Sequence, residues 1–187
     1  MSYPKTYSAF RRTTGDLPHT IEQTQEELPE DLGPHDVIIM IHAVSLNYRE
    51  IAMLDGSYPL PCKDGGVPCS DCAAEVVAIG SEVRDFAMGD AVASICGVGK
   101  YEGTDDGFSS NVGVDVEGVL REYAVFQDKH LVRLPKNMSW EDSSMLACAA
   151  VTAWNALDGL QHVPKHASAL LQGSYRLFLT LDNSGST

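Results

Sequence analysis

Asn47 and Tyr48 stand side by side in the run Ala43-Val-Ser-Leu-Asn-Tyr-Arg-Glu50, and both can do chemistry. An amide donates a hydrogen bond, and a phenol can bond a carbonyl or hand over a proton. The pair suits polarising an oxygen, and it suits equally well tying a turn to a core. Arg49 and Glu50 beside them read as a local ion pair on a solvated face. Cysteine is the other reactive type, at Cys62, Cys69, Cys72, Cys96 and Cys148. A Cys-x2-Cys pair such as Cys69/Cys72 opens many zinc sites. No second such pair follows, and no two histidines form a ligand-like pair, so small buried hydrophobes are the better reading. An odd cysteine count behind a start without a secretory-type apolar core argues for free thiols over a disulfide framework.

The elements around these residues are mostly short strands. Asp36 to Ala43 is apolar and β-branched behind Gly33-Pro34, which predicts a buried strand, and Ser45 to Leu54 predicts a turn of helix ended by Asp55-Gly56. Asn47 and Tyr48 therefore follow a strand directly, a common place for sites. Further strands are expected over Cys72 to Ile79, Ala91 to Ile95, Leu120 to Phe126 and His130 to Leu134, with a tight turn at Met88-Gly-Asp90. Strands of this length between such turns suggest a barrel-like β domain. Gly97 to Gly118 reads as a long loop, and the polar stretch through Pro34, with its acids from Glu22 to Asp31, as a solvated loop. Ser139 with Asp142 three residues on caps a helix whose apolar positions, Leu146 to Leu157, recur at helical spacing and include Trp154 as a core residue. That helix can be broken, and Gly159 is placed to end it.

Thirteen basic against twenty-six acidic side chains give a formal charge of −13, which repels phosphate backbones and anionic lipid. Nucleic acid and membrane surfaces are excluded as partners on that ground. No apolar run approaches the roughly 20 residues of a spanning helix. A soluble, cytoplasmic protein is the expectation.

The run Ala43 to Glu50, the segment Cys69-Ser-Asp-Cys-Ala-Ala-Glu-Val-Val-Ala-Ile-Gly80, the turn Phe86-Ala-Met-Gly-Asp90 and the stretch Leu146-Ala-Cys-Ala-Ala-Val-Thr-Ala-Trp154 occur in one order. Together they resemble the N-terminal half of the medium-chain dehydrogenase/reductase superfamily, nearest its zinc-type alcohol dehydrogenase-like and quinone oxidoreductase-like members. The resemblance implies a mainly β, GroES-like, partly open barrel over residues 1–135. A helical connection would follow over 136–173 as the start of a Rossmann cofactor domain, then a divergent, disordered tail over 174–187. Zinc enzymes of the superfamily hold their metal with a cysteine, the histidine of a Gly-His-Glu motif and a later cysteine. Here Asn47, Ser70 and Asp71 stand at the first position, the histidine and the glutamate, leaving Cys148 at the third. An amide and a hydroxyl are poor zinc ligands, so no zinc is expected. Cys72 stands where the family commonly has glycine.

The activity implied is zinc-independent hydride transfer between NADP(H) or NAD(H) and a small-molecule carbonyl, enone or quinone, with Asn47 and Tyr48 lining the cleft. Thr152 falls where family members approach the nicotinamide; its hydroxyl could bond the carboxamide or a preceding helix carbonyl. The family's glycine-rich turn would begin near Ala169 to Gly173, and at Ser174 the resemblance stops. The expectation is a chain truncated before its Rossmann half, binding no nucleotide alone and having little autonomous activity. The alternative is a non-enzymatic orphan domain acting through protein contacts. In either case the uncovered apolar face of the 139–157 helix invites a homo-oligomer.

Overall fold

The structure is a computed structural model that describes residues 3–98 and 110–157. Its elements are β1 (Thr6–Arg12), β2 (Ile21–Glu27), β3 (Asp36–Ser45), α1 (Tyr48–Asp55), β4 (Asp71–Ile79), β5 (Ala91–Ser94), β6 (Gly97–Val98), β7 (Ser110–Asn111), β8 (Tyr123–Gln127) and β9 (Leu131–Arg133). A helical segment follows in three pieces: α2 (Trp140–Ser144), a π-helical turn (Leu146–Ala150) and α3 (Val151–Ala156). The fold is mainly β, as the strand-and-turn pattern predicts. Five strands in the order β8-β3-β4-β5-β9, all antiparallel, make one curled sheet. No described helix is long and apolar enough to cross a membrane.

β3 sits inside this sheet and is buried on both faces, which is why its sequence is a continuous apolar run instead of an alternating one. Val37 and Ile39 enter one core with Val76, Val92, Ala124 and Phe126. Ile38 faces the other way, against Tyr7, Ala9, Leu28 and Val67.

That second core needs a cover, and the cover corrects the reading of the first stretch as a solvated loop. β1 and β2 pair antiparallel from Thr6↔Glu27 to Arg12↔Ile21. β1 buries Tyr7 and Ala9 on one face and Arg12 on the other, whereas β2 (Ile-Glu-Gln-Thr-Gln-Glu-Glu) is polar after Ile21 and largely exposed. Its place comes from backbone pairing and from charge, with Arg11 Nε 2.5 Å from Glu26 Oε1. Arg12 is 3% exposed and spends its guanidinium on the carbonyls of Gly113 (2.9 Å), Lys63 (3.0 Å) and Val114 (3.3 Å). Gly113 adopts φ +80° against the Cys69 backbone, a conformation and a closeness that a side chain would prevent.

The described part of the Gly97 to Gly118 stretch is structured, which corrects its reading as a loop: β6 pairs with β7, and Val112 and Val114 are buried; residues 99–109 lie outside the described residues. Residues 158–187 do as well, so the expectations for Gly159, for Ala169 to Gly173 and for the 174–187 tail fall there.

Candidate functional site

The sheet delivers two chain ends to one place. β3 runs out at Ser45, and Asn47 starts α1 as its N-cap, with the Asn47 N–H donating to Glu50 Oε2 at 2.7 Å. β4 begins at Asp71 directly opposite, paired with Ser45. Asp71 is fully buried, and a buried carboxylate must be satisfied by donors. One donor is the Asn47 side-chain amide, 3.0 Å from Asp71 Oδ2.

The others come from the helical segment. Ser139 caps α2 by accepting from the Asp142 N–H at 3.1 Å, as its type and spacing predict. After Ser144 the helix widens into the π turn. There Ala150 N–H bonds Met145 O, and the N–H groups of Cys148 and Ala149 turn outward. They donate to Asp71 at 2.6 Å (Oδ1) and 3.1 Å (Oδ2). The predicted single helix is thus broken, and the break is where it grips the sheet. Apolar support is slight: Leu146, Ala147 and Trp140 pack on Ala73, Ala93 and Leu134, and Trp140 stacks on His42 with ring centroids 4.3 Å apart.

Cys148 lies near Cys96, just past β5, and bonding between the two thiols shifts the titration of both. Arg49 Nη1 lies 3.8 Å from Cys96 Sγ, while its Nη2 donates to Val112 O at 2.9 Å. The bond from Cys148, against the cost of burial and with Arg49 beside it, draws the Cys96 thiol down to about 6, and Cys148 is pushed up by sharing its proton with Cys96 and by burial. The Ser70 hydroxyl, fully buried, faces the same sulfurs and makes no hydrogen bond of standard length. Arg49 and Glu50 do form an ion pair (Nε to Oε1 3.2 Å), but their side chains are only 15% and 10% exposed, which corrects the solvated-face reading.

The remaining cysteines are apart from this group. All five are free. Cys72 is buried against Ser94 Oγ (3.7 Å), Cys62 is exposed, and burial pushes Cys69 up to about 12. Among the described residues, no three His, Cys, Asp or Glu side chains are grouped to hold a metal ion.

Tyr48 lies at the rim, 80% exposed, flanked by exposed Leu46 and Ile51. Thr152 donates to Cys148 O at 2.7 Å, one turn back, and its side chain is on the exposed side. Trp154 is 56% exposed, which corrects its placement in the core: α3 extends beyond the sheet and buries none of its residues. So Asn47 joins Asp71, Cys148, Cys96, Ser70 and Arg49 in one cluster, with Tyr48 and Thr152 at its edges. Sequence reasoning missed Cys96 and Arg49 as members. Asp71 was marked by its match to the glutamate of the family's Gly-His-Glu motif and by its charge at the start of a mostly apolar strand.

The alcohol dehydrogenase GroES-like domain family matches residues 33–136, the span that holds the five-stranded sheet and the Asp71 end of the cluster. The chain belongs to that family. Its family relatives include a zinc-type alcohol dehydrogenase-like protein of Schizosaccharomyces pombe, 38% identical over 74% of this chain and 41% of the relative. A chloroplastic quinone oxidoreductase of Triphysaria versicolor is 34% identical over 70% of this chain and 35% of the relative. This GroES-like chain therefore spans less than half the length of either. A solved structure described as an alcohol dehydrogenase of Sinorhizobium meliloti superposes with TM-score 0.76 at 32% identity, over 87% of this chain and 48% of that one. An NAD-dependent alcohol dehydrogenase superposes with TM-score 0.70 at 26% identity, over 85% and 48%.

Zinc in the family's metal-binding members needs thiolate and imidazole donors. At the matching positions this GroES-like chain has an amide, a hydroxyl and one thiol, and both oxygens of Asp71 are already engaged by N–H donors. The donor set does not fit the metal.

Proposed function

We propose that this domain serves zinc-independent hydride transfer between NAD(P)H and a carbonyl, enone or quinone. The observation that carries the reading is the Asp71 carboxylate, saturated by Asn47, Cys148 and Ala149 where a metal site would have to be, beside an exposed phenol. The similarity to alcohol dehydrogenase-like and quinone oxidoreductase relatives supports the substrate class.

In this reading Asn47 positions the turn through Asp71, and the Tyr48 phenol, free at the rim, hydrogen-bonds or protonates the substrate oxygen. Thr152 donates its hydroxyl hydrogen bond to Cys148 O, so its oxygen lone pairs are left to accept from the nicotinamide carboxamide. The bound nicotinamide would supply or take the hydride. A soluble, cytoplasmic setting belongs to the same reading.

A second reading has its own observation: Met145, Val151 and Trp154 are exposed by 39%, 49% and 56% on one short helical segment. It is a non-enzymatic domain that pairs with a second copy through the 139–157 face.

Two measurements on the purified chain test these readings. After dialysis against zinc, elemental analysis should return no stoichiometric metal, and one zinc per chain would overturn the metal-free mechanism. Titration with NADPH, followed by nucleotide fluorescence beside a size-exclusion profile, separates the rest. Saturable binding carries hydride transfer to this chain, whereas a stable dimer without nucleotide affinity favours the second reading.

A further inference from the structure

We propose that the outer edge of β8 takes up an extended, basic segment of a partner protein as an added strand. The register fixes which backbone groups face that edge. β8 pairs with β3 from Asp36↔Gln127 to Met40↔Tyr123, bracketed by the bonds from Asp128 N–H to His35 O (2.9 Å) and from Ile41 N–H to Glu122 O (2.8 Å). In an antiparallel pair the bonded positions recur at every second residue, so Ala124 and Phe126 spend their N–H and C=O groups on β3, and those of Tyr123, Val125 and Gln127 point the other way. Among the described residues no strand takes these groups up. β8 ends its sheet, and β1 meets it only around Arg121, through Phe10 N–H to Leu120 O (3.0 Å) and Glu122 N–H to Ser8 O (2.9 Å).

Folded proteins guard open edges with short strands, charge or proline. β9, at the other end of the sheet, has three residues and ends on Arg133, and β2 carries Glu22, Glu26 and Glu27. Tyr123-Ala-Val-Phe-Gln127 has no charge, no proline and no glycine. A cleft of about 530 Å³ is lined by Val125, Phe126 and Gln127 of this unguarded strand. Charge selects its occupant. Three carboxylates, Asp36, Asp115 and Glu117, share the cleft with two permanent cations, Lys63 and Arg121; burial lowers the pKa of His130, which keeps that imidazole neutral near pH 7. The chain as a whole carries −13. A second copy would set the same carboxylates and the same net charge against themselves. A segment with lysine or arginine at alternate positions instead answers the acids with its side chains while its backbone bonds Tyr123, Val125 and Gln127. This assignment uses the β region alone and does not rest on the proposed hydride transfer.

The test adds an end-blocked heptapeptide of alternating lysine and valine to the intact, isotope-labelled chain and follows amide exchange by NMR. In the free chain the Val125 and Gln127 amides should exchange about tenfold or more faster than those of Ala124 and Phe126, and the peptide should protect them. Val125→Pro removes an outward donor and no ladder bond, so it should weaken binding about tenfold while Ala124 and Phe126 stay protected. A change confined to the peptide makes the same point without any demand on folding. Methylating one set of alternate peptide nitrogens should abolish binding and methylating the other set should spare it, although the charge is the same in both. A glutamate–valine heptapeptide should not bind. Binding indifferent to both methylations is electrostatic adhesion and overturns the proposal, as does equal binding of the glutamate peptide. Val125 and Gln127 amides already protected in the free chain overturn it too, because the edge is then covered by the chain itself if size exclusion returns a monomer, or by a second copy if it returns a dimer.

Discussion

The five-stranded sheet and the helical segment beside it are held by different physics. The sheet buries Val37, Ile38, Ile39, Val76 and Val92 completely, on two faces, so its cohesion is apolar area removed from water. The π turn and α3 bury no residue completely, and beyond the packing of Leu146 and Ala147 their hold on the sheet is one carboxylate accepting two N–H groups. The reactive cluster lies along that seam. The difference teaches that this domain completes its own β core and carries part of its cluster on a segment attached by one carboxylate and slight apolar packing.

The contrast can be broken most forcefully from the sheet side. Ile39→Ala should cost about 2–5 kcal/mol, because a fully buried side chain leaves a cavity in close-packed surroundings. Urea unfolding should show the loss in the whole cooperative transition, and an unchanged midpoint would contradict the two-faced core.

Asp71→Ala acts on the other region. It strands the Cys148 and Ala149 N–H groups and the Asn47 amide, at about 1–3 kcal/mol. The loss should be local: hydrogen exchange should quicken over residues 146–156 while β3 and β4 stay protected. Equal acceleration in the sheet would show that the two regions are one unit.

Glu117 sharpens the comparison with a charge that belongs to the β region alone. Burial by itself would raise its carboxyl, but the Val67 N–H (2.7 Å), Lys63 and Arg11 (2.9 Å each) outweigh burial and hold it at about 2. The folded value lies below the unfolded one, so the stabilisation is complete above about 4.5 and is lost as pH falls towards about 2. Denaturation midpoints across that window should fall, and Glu117→Gln should flatten the slope.

The smallest effect is expected from Trp154→Ala. At 56% exposure it should change stability by less than about 0.5 kcal/mol. Any self-association through the helical face should nonetheless weaken in sedimentation velocity.

These two kinds of cohesion also explain what the sequence disclosed. β3 was legible because a doubly buried strand must be apolar at every position, and Ser139/Asp142 because a cap is a local device. β2 was not: Ile21 to Glu27 carries no apolar face, and its strand form is dictated by β1 across the ladder. The cluster was legible in part: Asp71 meets Cys148 across 77 positions of chain and only the family resemblance groups them with Asn47 and Ser70, whereas Arg49 meets Cys96 across 47 and nothing in the sequence joins those two. Asn47 and Thr152 were found as residues, but the partners they actually hold, Asp71 and Cys148 O, come from the folded geometry.

The Asp71 node also sets how far this chain stands from its metal-binding relatives in mutational steps. Asn47→Cys alone would strip an amide donor from a fully buried carboxylate before any ligand set existed. Ser70→His alone would force an imidazole into a site that now has no exposed surface. Each single change is a loss and only the pair begins to offer a cation anything, so the route between the two kinds of site crosses a valley that selection on one substitution at a time does not readily pass.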